Sequence, residues 1–190
     1  MGATRQARPR SIATRTGDRG STSLLFGQRV TKDHPQIEAV GALDELNAGL
    51  GLAKAARPAG ADAAALERIQ RVLVALMGEV ACAEKDAARH ARSKLSRLDA
   101  AALARLDAAV AAIEARQPRF DGWATPGANT YAAALDLART IARRAERRLV
   151  GLRTQGRRLR PLLLQYLNRL SDLLWLLARE AEHPTVRPRK

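Results

Sequence analysis

The chain has 190 residues, with 33 Lys and Arg against 19 Asp and Glu, a formal net charge of +14. Apolar residues make up 46% and aromatics only 3%. That is too apolar for a disordered basic protein, and no run approaches the ~20 apolar residues that span a bilayer. The single cysteine, Cys82, excludes an internal disulfide and a cysteine-rich zinc site. The basic excess calls for an anionic partner: nucleic acid, a membrane surface or a phosphorylated small molecule.

In chain order, MGATRQARPRS lacks the hydrophobic core of a secretory signal and reads as a tail, residues 1–11, of a cytoplasmic protein. Thr14–Ser23, TRTGDRGSTS, is rich in turn formers and reads as a loop, ordered by itself or by a ligand. Pro35 suits a helix start, and Ile37, Val40, Asp44, Asn47 and Gly51 follow one stripe to about Arg57. Pro58 and Gly60 break it. The next helix is predicted over Asp62–Lys85, with Ile69, Leu73, Leu76, Val80 and Ala83 on one face and Cys82 as a buried thiol. A polar stretch, Asp86–Ser96, follows. A third helix is predicted over Leu98–Arg116 on Leu103, Leu106, Val110 and Ile113.

Gln117–Asn129 is an irregular link with two Pro and two Gly. A fourth helix is predicted over Thr130–Leu152, its stripe formed by Leu135, Ala138, Ala142, Ala145, Leu149 and Leu152. A basic turn ends at Pro161. A last helix is predicted over Leu162–Glu182 on Leu163, Leu167, Leu170, Leu174 and Leu177, and residues 183–190 fray. Five helices without a convincing strand predict an all-α bundle in one domain spanning residues 1–190. The 39 alanines favour close helix contacts.

The charge concentrates between Arg139 and Arg160, with nine Arg and one acid, Glu146. At about 100° per residue, and with Leu135 as origin, the apolar stripe spans about 260–340°. Glu146 then falls near ~20°, Arg139 near ~40° and Arg143 near ~80°, along one edge of the stripe. Arg144 and Arg148 point roughly away. An Arg at the edge of a seam is partly desolvated and needs an acid or a phosphate, and its fork suits oxyanions. Asp44 faces inward or toward a partner subunit, and patterning alone allows an Asp44–Arg139 pair. The Thr14–Ser23 loop is either a surface turn or an oxyanion cradle of N–H and O–H donors; it is not a Walker A loop. Asn168 and Ser171 flank the last Leu stripe, where a buried Asn needs a hydrogen-bond partner. Trp123 is a packing anchor or a platform for a ligand. His34, His90 and His183 have no metal-ligand spacing.

Four segments together are more specific than any alone. TRTGDRGSTSL at Thr14–Leu24, followed by Lys32, EAVGALDELNAGLG at Glu38–Gly51, ARTIARRAERRL at Ala138–Leu149 and YLNRLSDLLW at Tyr166–Trp175 resemble the propanediol-utilisation type of ATP:cob(I)alamin adenosyltransferase. The resemblance covers about residues 12–180. It implies a five-helix bundle assembled as a homotrimer, with active sites between subunits. It implies transfer of the 5′-deoxyadenosyl group of ATP to cob(I)alamin or a related corrinoid, releasing triphosphate. By motif, Thr14, Arg15, Thr16, Gly17, Thr22, Ser23 and Lys32 would bind ATP, with Arg143, Arg144, Glu146, Arg147 and Asn168 completing the site. Arg143, Glu146 and Asn168 are the implied catalytic group. Asp44 and Arg139 resemble an inter-subunit ion pair beside the site, and Trp123 takes the place of an aromatic facing the corrin ring.

The chemistry agrees with the residues. Cobalt supplies the nucleophile, so no Ser, Cys or His nucleophile is required. The protein must position the reactants and stabilise charge on the departing triphosphate. Mg²⁺ is expected on the phosphate oxygens, with no protein metal site. The chain departs from the family pattern at Trp123-Ala124-Thr125-Pro126-Gly127-Ala128 and at Asp136, where a His often stands. An acid there would pair with Arg139 or Arg143, or weaken binding of an anion. Protein partners in keeping with the resemblance are a cobalamin reductase or an adenosylcobalamin-dependent enzyme, with no membrane contact. Two other classes remain: a nucleic-acid-binding helical protein, and a member of the fold that binds ATP or corrinoid without catalysis. The former leaves TGDRG and DELN unexplained.

Overall fold

The computed structural model describes residues 13–57, 63–116 and 123–182. The predicted tails, 1–11 and 183–190, lie outside the described residues, as do parts of the links at 58–62 and 117–122. The chain runs β1 (Ser21–Ser23), β2 (Arg29–Thr31), α1 (Pro35–Ala56), α2 (Ala63–Ala81), a 3-10 turn (Glu84–Asp86), α3 (Ala87–Arg92), α4 (Ala100–Glu114), α5 (Thr130–Thr154) and α6 (Pro161–Glu182). The structure is therefore mainly helical, as predicted. In order of contact the long helices run α2, α1, α5, α6, α4, which makes α5 the central element.

Small residues explain the tight α1–α5 contact. Ala138, Ala142 and Ala145 of α5 are fully buried against Leu43, Leu46 and Leu50 of α1 in one core. A Cβ on Gly49 would stand 3.4 Å from Ile141 Cδ1 and 3.6 Å from Ala138 Cα, so the missing side chain lets the two backbones approach. Helix starts follow their caps. His34 Nδ1 accepts from Gln36 N at 3.1 Å, Asp99 Oδ1 from Ala102 N at 2.7 Å and Asn129 Oδ1 from Ala132 N at 2.9 Å.

Three sequence expectations are corrected. There are six helices among the described residues, not five. The sixth, α3, has six residues and buries only His90, so it carries no stripe to read. The segment predicted to lack strands forms a short antiparallel hairpin, with Ser21 opposite Thr31 and Ser23 opposite Arg29. Strands of three residues are too short for alternation to show, and the connecting turn holds Phe26 at φ 71° and Gly27 at φ 92°. Finally, α2 stops at Ala81, short of Lys85. A helix end leaves carbonyls unsatisfied, and here other elements take them. Gln36 Nε2 donates to Val80 O at 2.6 Å and Cys82 O at 3.0 Å, and Leu25 N donates to Ala81 O at 2.9 Å.

Cys82 is buried as predicted, and burial pushes its thiol above the ordinary value. Among the described residues no helix is long and apolar enough to cross a membrane.

Candidate functional site

The N-terminal loop is built on the hairpin. Arg29 ties it together: its guanidinium donates to Thr16 O at 3.1 Å, to Ser23 Oγ at 3.2 Å and to Ser21 Oγ. Thr14 Oγ1 and Thr16 Oγ1 share a hydrogen bond at 2.9 Å. Lys32 N donates to Gly20 O at 2.9 Å, and a Cβ on Gly17 would sit 3.3 Å from Lys32 Nζ. The loop and Lys32 are thus neighbours, as their joint assignment requires. Arg15 is held at φ 58°, a left-handed conformation that costs an L-residue about 1–2 kcal/mol. Arg15, Arg19 and Lys32 are exposed and have no acid partner among the described residues. Thr22 is half-buried in β1 opposite Val30. Arg29 escaped the sequence reading, because its role depends on pairing across the hairpin.

We expect Arg29→Ala to loosen Thr14–Ser23 while leaving the bundle intact. The apparent affinity for ATP, measured by titration, should fall about five- to tenfold, equivalent to ~1 kcal/mol of lost ordering. An unchanged affinity would show that Arg29 does not organise the loop for a ligand.

The second cluster lies on α5 and α6. Arg143 Nη1 stands 3.2 Å from Glu146 Oε2, and Asn168 Nδ2 reaches Glu146 Oε1 at 3.5 Å. The three residues implied to be catalytic are therefore brought together, with Glu146 at the centre. Asn168 is exposed, so its weak contact across helices does not answer a burial requirement. Exposure follows the predicted angles: the Glu146 side chain is 19% exposed, Arg139 29% and Arg143 48%. Arg144 turns to Glu45 and Arg148 to Glu38 at 3.5 Å, both on α1. Arg147 has no acid partner among the described residues and lines a cavity of about 240 Å³ with Asp33, Pro35, Glu38 and Arg148. Asp33 follows Lys32, so this cavity lies between the hairpin end and the C-terminal part of α5.

Some expectations are not met within one chain. Asp44 is exposed rather than inward, and it does not pair with Arg139. Arg139 Nε instead donates to Asp136 Oδ1 at 3.1 Å, one of the outcomes foreseen for an acid at that position. Trp123 is 100% exposed, so the packing-anchor reading fails. Neither a hydrogen bond nor an ion pair joins Thr14–Ser23 to Arg143, Glu146 or Asn168 among the described residues. Among these residues no group of three or more His, Cys, Asp or Glu side chains converges to hold a metal.

The basic turn after α5, left unexplained by sequence, is structural. Arg160 Nη1 donates to both Glu79 oxygens at 3.0 and 2.9 Å and its Nη2 to Leu98 O at 2.7 Å. Arg157 Nη2 donates to Cys82 O, and Arg158 stands 3.1 Å from Glu84. Arg157 and Arg160 fasten the turn to the end of α2, whereas Arg158 stays exposed.

The arrangement is that of a helical protein with two sets of cationic and hydrogen-bond-donor groups, one on a loop and one on a helix edge. Comparison with known proteins gives the family. A family model described as cobalamin adenosyltransferase matches residues 12–181. The corrinoid adenosyltransferase PduO of Citrobacter freundii is 43% identical over 173 residues, 91% of this chain and 50% of that protein. The cobalamin adenosyltransferase of Cupriavidus metallidurans is 41% identical over 169 residues, 88% of this chain and 86% of that protein. A variant PduO-type ATP:corrinoid adenosyltransferase from Lactobacillus reuteri, complexed with cobalamin and ATP, superposes with a TM-score of 0.81 at 30% identity, covering 91% of this chain and 94% of that one. The chain belongs to the cobalamin adenosyltransferase family. It spans about half the length of the PduO relatives it matches.

Proposed function

We propose that the chain is an ATP:cob(I)alamin adenosyltransferase, acting as a single domain of that activity. It moves the 5′-deoxyadenosyl group of ATP to cob(I)alamin or a related corrinoid. Co(I) contributes the electron pair for the new Co–C5′ bond, the C5′–O bond breaks, and triphosphate leaves. The observation that carries this reading is the Arg143–Glu146–Asn168 group set at the α5–α6 edge, with the Thr14–Lys32 loop organised by Arg29 and bonded to none of the three among the described residues. A site between subunits would draw these two sets from neighbouring chains. We read the assembly as a homotrimer of helical bundles.

In this reading Thr14, Arg15, Thr16, Gly17, Thr22, Ser23 and Lys32 of one subunit meet Arg143, Arg144, Glu146, Arg147 and Asn168 of the next around ATP. Arg143 and Arg147 stabilise charge developing on the departing triphosphate. Glu146 holds Arg143 and Asn168 at a fixed distance from each other. Asp44 and Arg139 support the seam. The exposed Trp123 supplies a flat apolar surface for the corrin face, excluding water from a strongly reducing reactant. Mg²⁺ would be carried on the phosphate oxygens of ATP, where it would offset their charge. The reading is of a cytoplasmic enzyme, supplied by a cobalamin reductase or serving an adenosylcobalamin-dependent enzyme.

The test is direct. Purified protein with ATP, Mg²⁺ and reduced cobalamin under anaerobic conditions should form adenosylcobalamin, followed by the cobalamin spectrum. Folded protein that yields no product would overturn the reading.

A further inference from the structure

Asp136 lies on α5, one turn before Arg139, and is 3% exposed. A carboxylate so buried is strongly disfavoured unless paired and hydrogen-bonded. Two guanidinium groups satisfy it. Oδ1 accepts from Arg139 Nε at 3.1 Å and Oδ2 from Arg179 Nη2 at 2.5 Å. Arg179, on α6, is itself buried at 6% exposure; its Nη2 also donates to Glu182 Oε1 at 2.8 Å, and it lies 5.6 Å from the centroid of the Trp175 ring. The result is a line of alternating charge, Glu182–Arg179–Asp136–Arg139, running from the end of α6 to the edge of α5.

The manner of the last contact matters. Arg139 is engaged through Nε, on the side of its fork, and the terminal Nη1 and Nη2 pair has no acid partner among the described residues. That terminal edge presents two parallel N–H groups suited to a second carboxylate. A free Arg side chain samples many rotamers, and one anchored at Nε samples few. Asp44 is exposed on α1 and has no partner in its own chain among the described residues.

We infer that Asp136, itself held by Arg179, is a positioning residue that fixes Arg139 so that its terminal edge meets Asp44 of a second copy of this chain. This rests on the subunit-seam reading of Arg139 and Asp44 given above. Asp136 and Arg179 then act through Arg139 without touching either substrate.

Sedimentation equilibrium over a range of protein concentrations tests this without recourse to activity. Asp136→Asn, with helix content unchanged, should need at least tenfold more protein to assemble. Arg139→Gln should show a similar loss. The double variant Asp136→Asn/Arg139→Gln should lose no more than Arg139→Gln alone, because both changes remove one interaction. Assembly of Asp136→Asn like the wild type would overturn the inference, as would losses that add in the double variant. If Asp136→Asn does not fold, Asp136→Asn/Arg179→Met removes both central charges together and should fold and assemble as poorly; wild-type assembly of that variant would equally overturn the inference. A wild-type protein that stays monomeric sinks the seam reading and this one with it. An assembled wild type without adenosylation activity sinks only the proposed reaction.

Discussion

Arg143→Ala is expected to lower kcat/KM for adenosylcobalamin formation at least tenfold, while the thermal midpoint stays within about 2 °C of wild type. The two halves of this result have different causes. Among the described residues Arg143 is paired only with Glu146, one turn along the same helix, and its side chain is 48% exposed. Such a pair adds at most ~0.5 kcal/mol to stability. Its contribution to the reaction is larger, because negative charge on the leaving triphosphate grows toward the transition state and a fixed guanidinium meets that charge without reorganising. A tenfold effect needs only ~1.4 kcal/mol of lost transition-state stabilisation. Arg148→Ala is the matched control, since Arg148 sits on the same helix and turns to Glu38. Equal kinetics for the two variants would reduce Arg143 to a surface charge.

Glu79→Ala should be the most destabilising of the variants considered, by about 2–4 kcal/mol. At ~2–4 °C per kcal/mol for a domain of this size, a 3 kcal/mol loss lowers the midpoint by about 6–12 °C. The Glu79 carboxylate is 6% exposed. It accepts from Leu98 N at 2.7 Å and from Arg160 Nη1, and Arg97 stands 3.7 Å away. Truncation leaves a half-buried guanidinium without its acid and a backbone N–H without its acceptor. Glu84→Ala offers the contrast, because its partner Arg158 is 93% exposed and such pairs contribute little. Denaturation of both variants decides the matter. A Glu79→Ala protein as stable as Glu84→Ala would show that the basic turn is not anchored through this carboxylate.

Much of the helical layout was legible in the sequence because long stripes leave a strong period. The α5 stripe of Leu135, Ala138, Ala142, Ala145, Leu149 and Leu152 is buried throughout. Helical angles also ordered Glu146, Arg139 and Arg143 by exposure before any coordinates. What periodicity cannot supply is the partner. Arg160 meets Glu79 across 81 positions, and nothing local in GLRTQGRRLRP distinguishes these structural arginines from ligand-binding ones. Arg29 is silent for the same reason: its value depends on a hairpin too short to announce itself. Asp136 was visible as a departure from the family pattern, and its pairing with Arg139 was one of the options considered. Arg179 as its second partner was not foreseen, since the residues are 43 positions apart on different helices.

The carbonyls at the end of α2 have a mechanical consequence. Val80, Ala81 and Cys82 accept from Gln36, Leu25 and Arg157, so α1, the hairpin and the turn before α6 all grip one short stretch of backbone. An arm at the start of a chain usually frays ahead of the core. The turn of this hairpin is stitched at Leu25 to a helix end that the core also needs, so the turn holds even where the Thr14–Ser23 loop ahead of it loosens. The Leu25 amide hydrogen should therefore exchange with solvent more slowly than those of Thr14–Ser23.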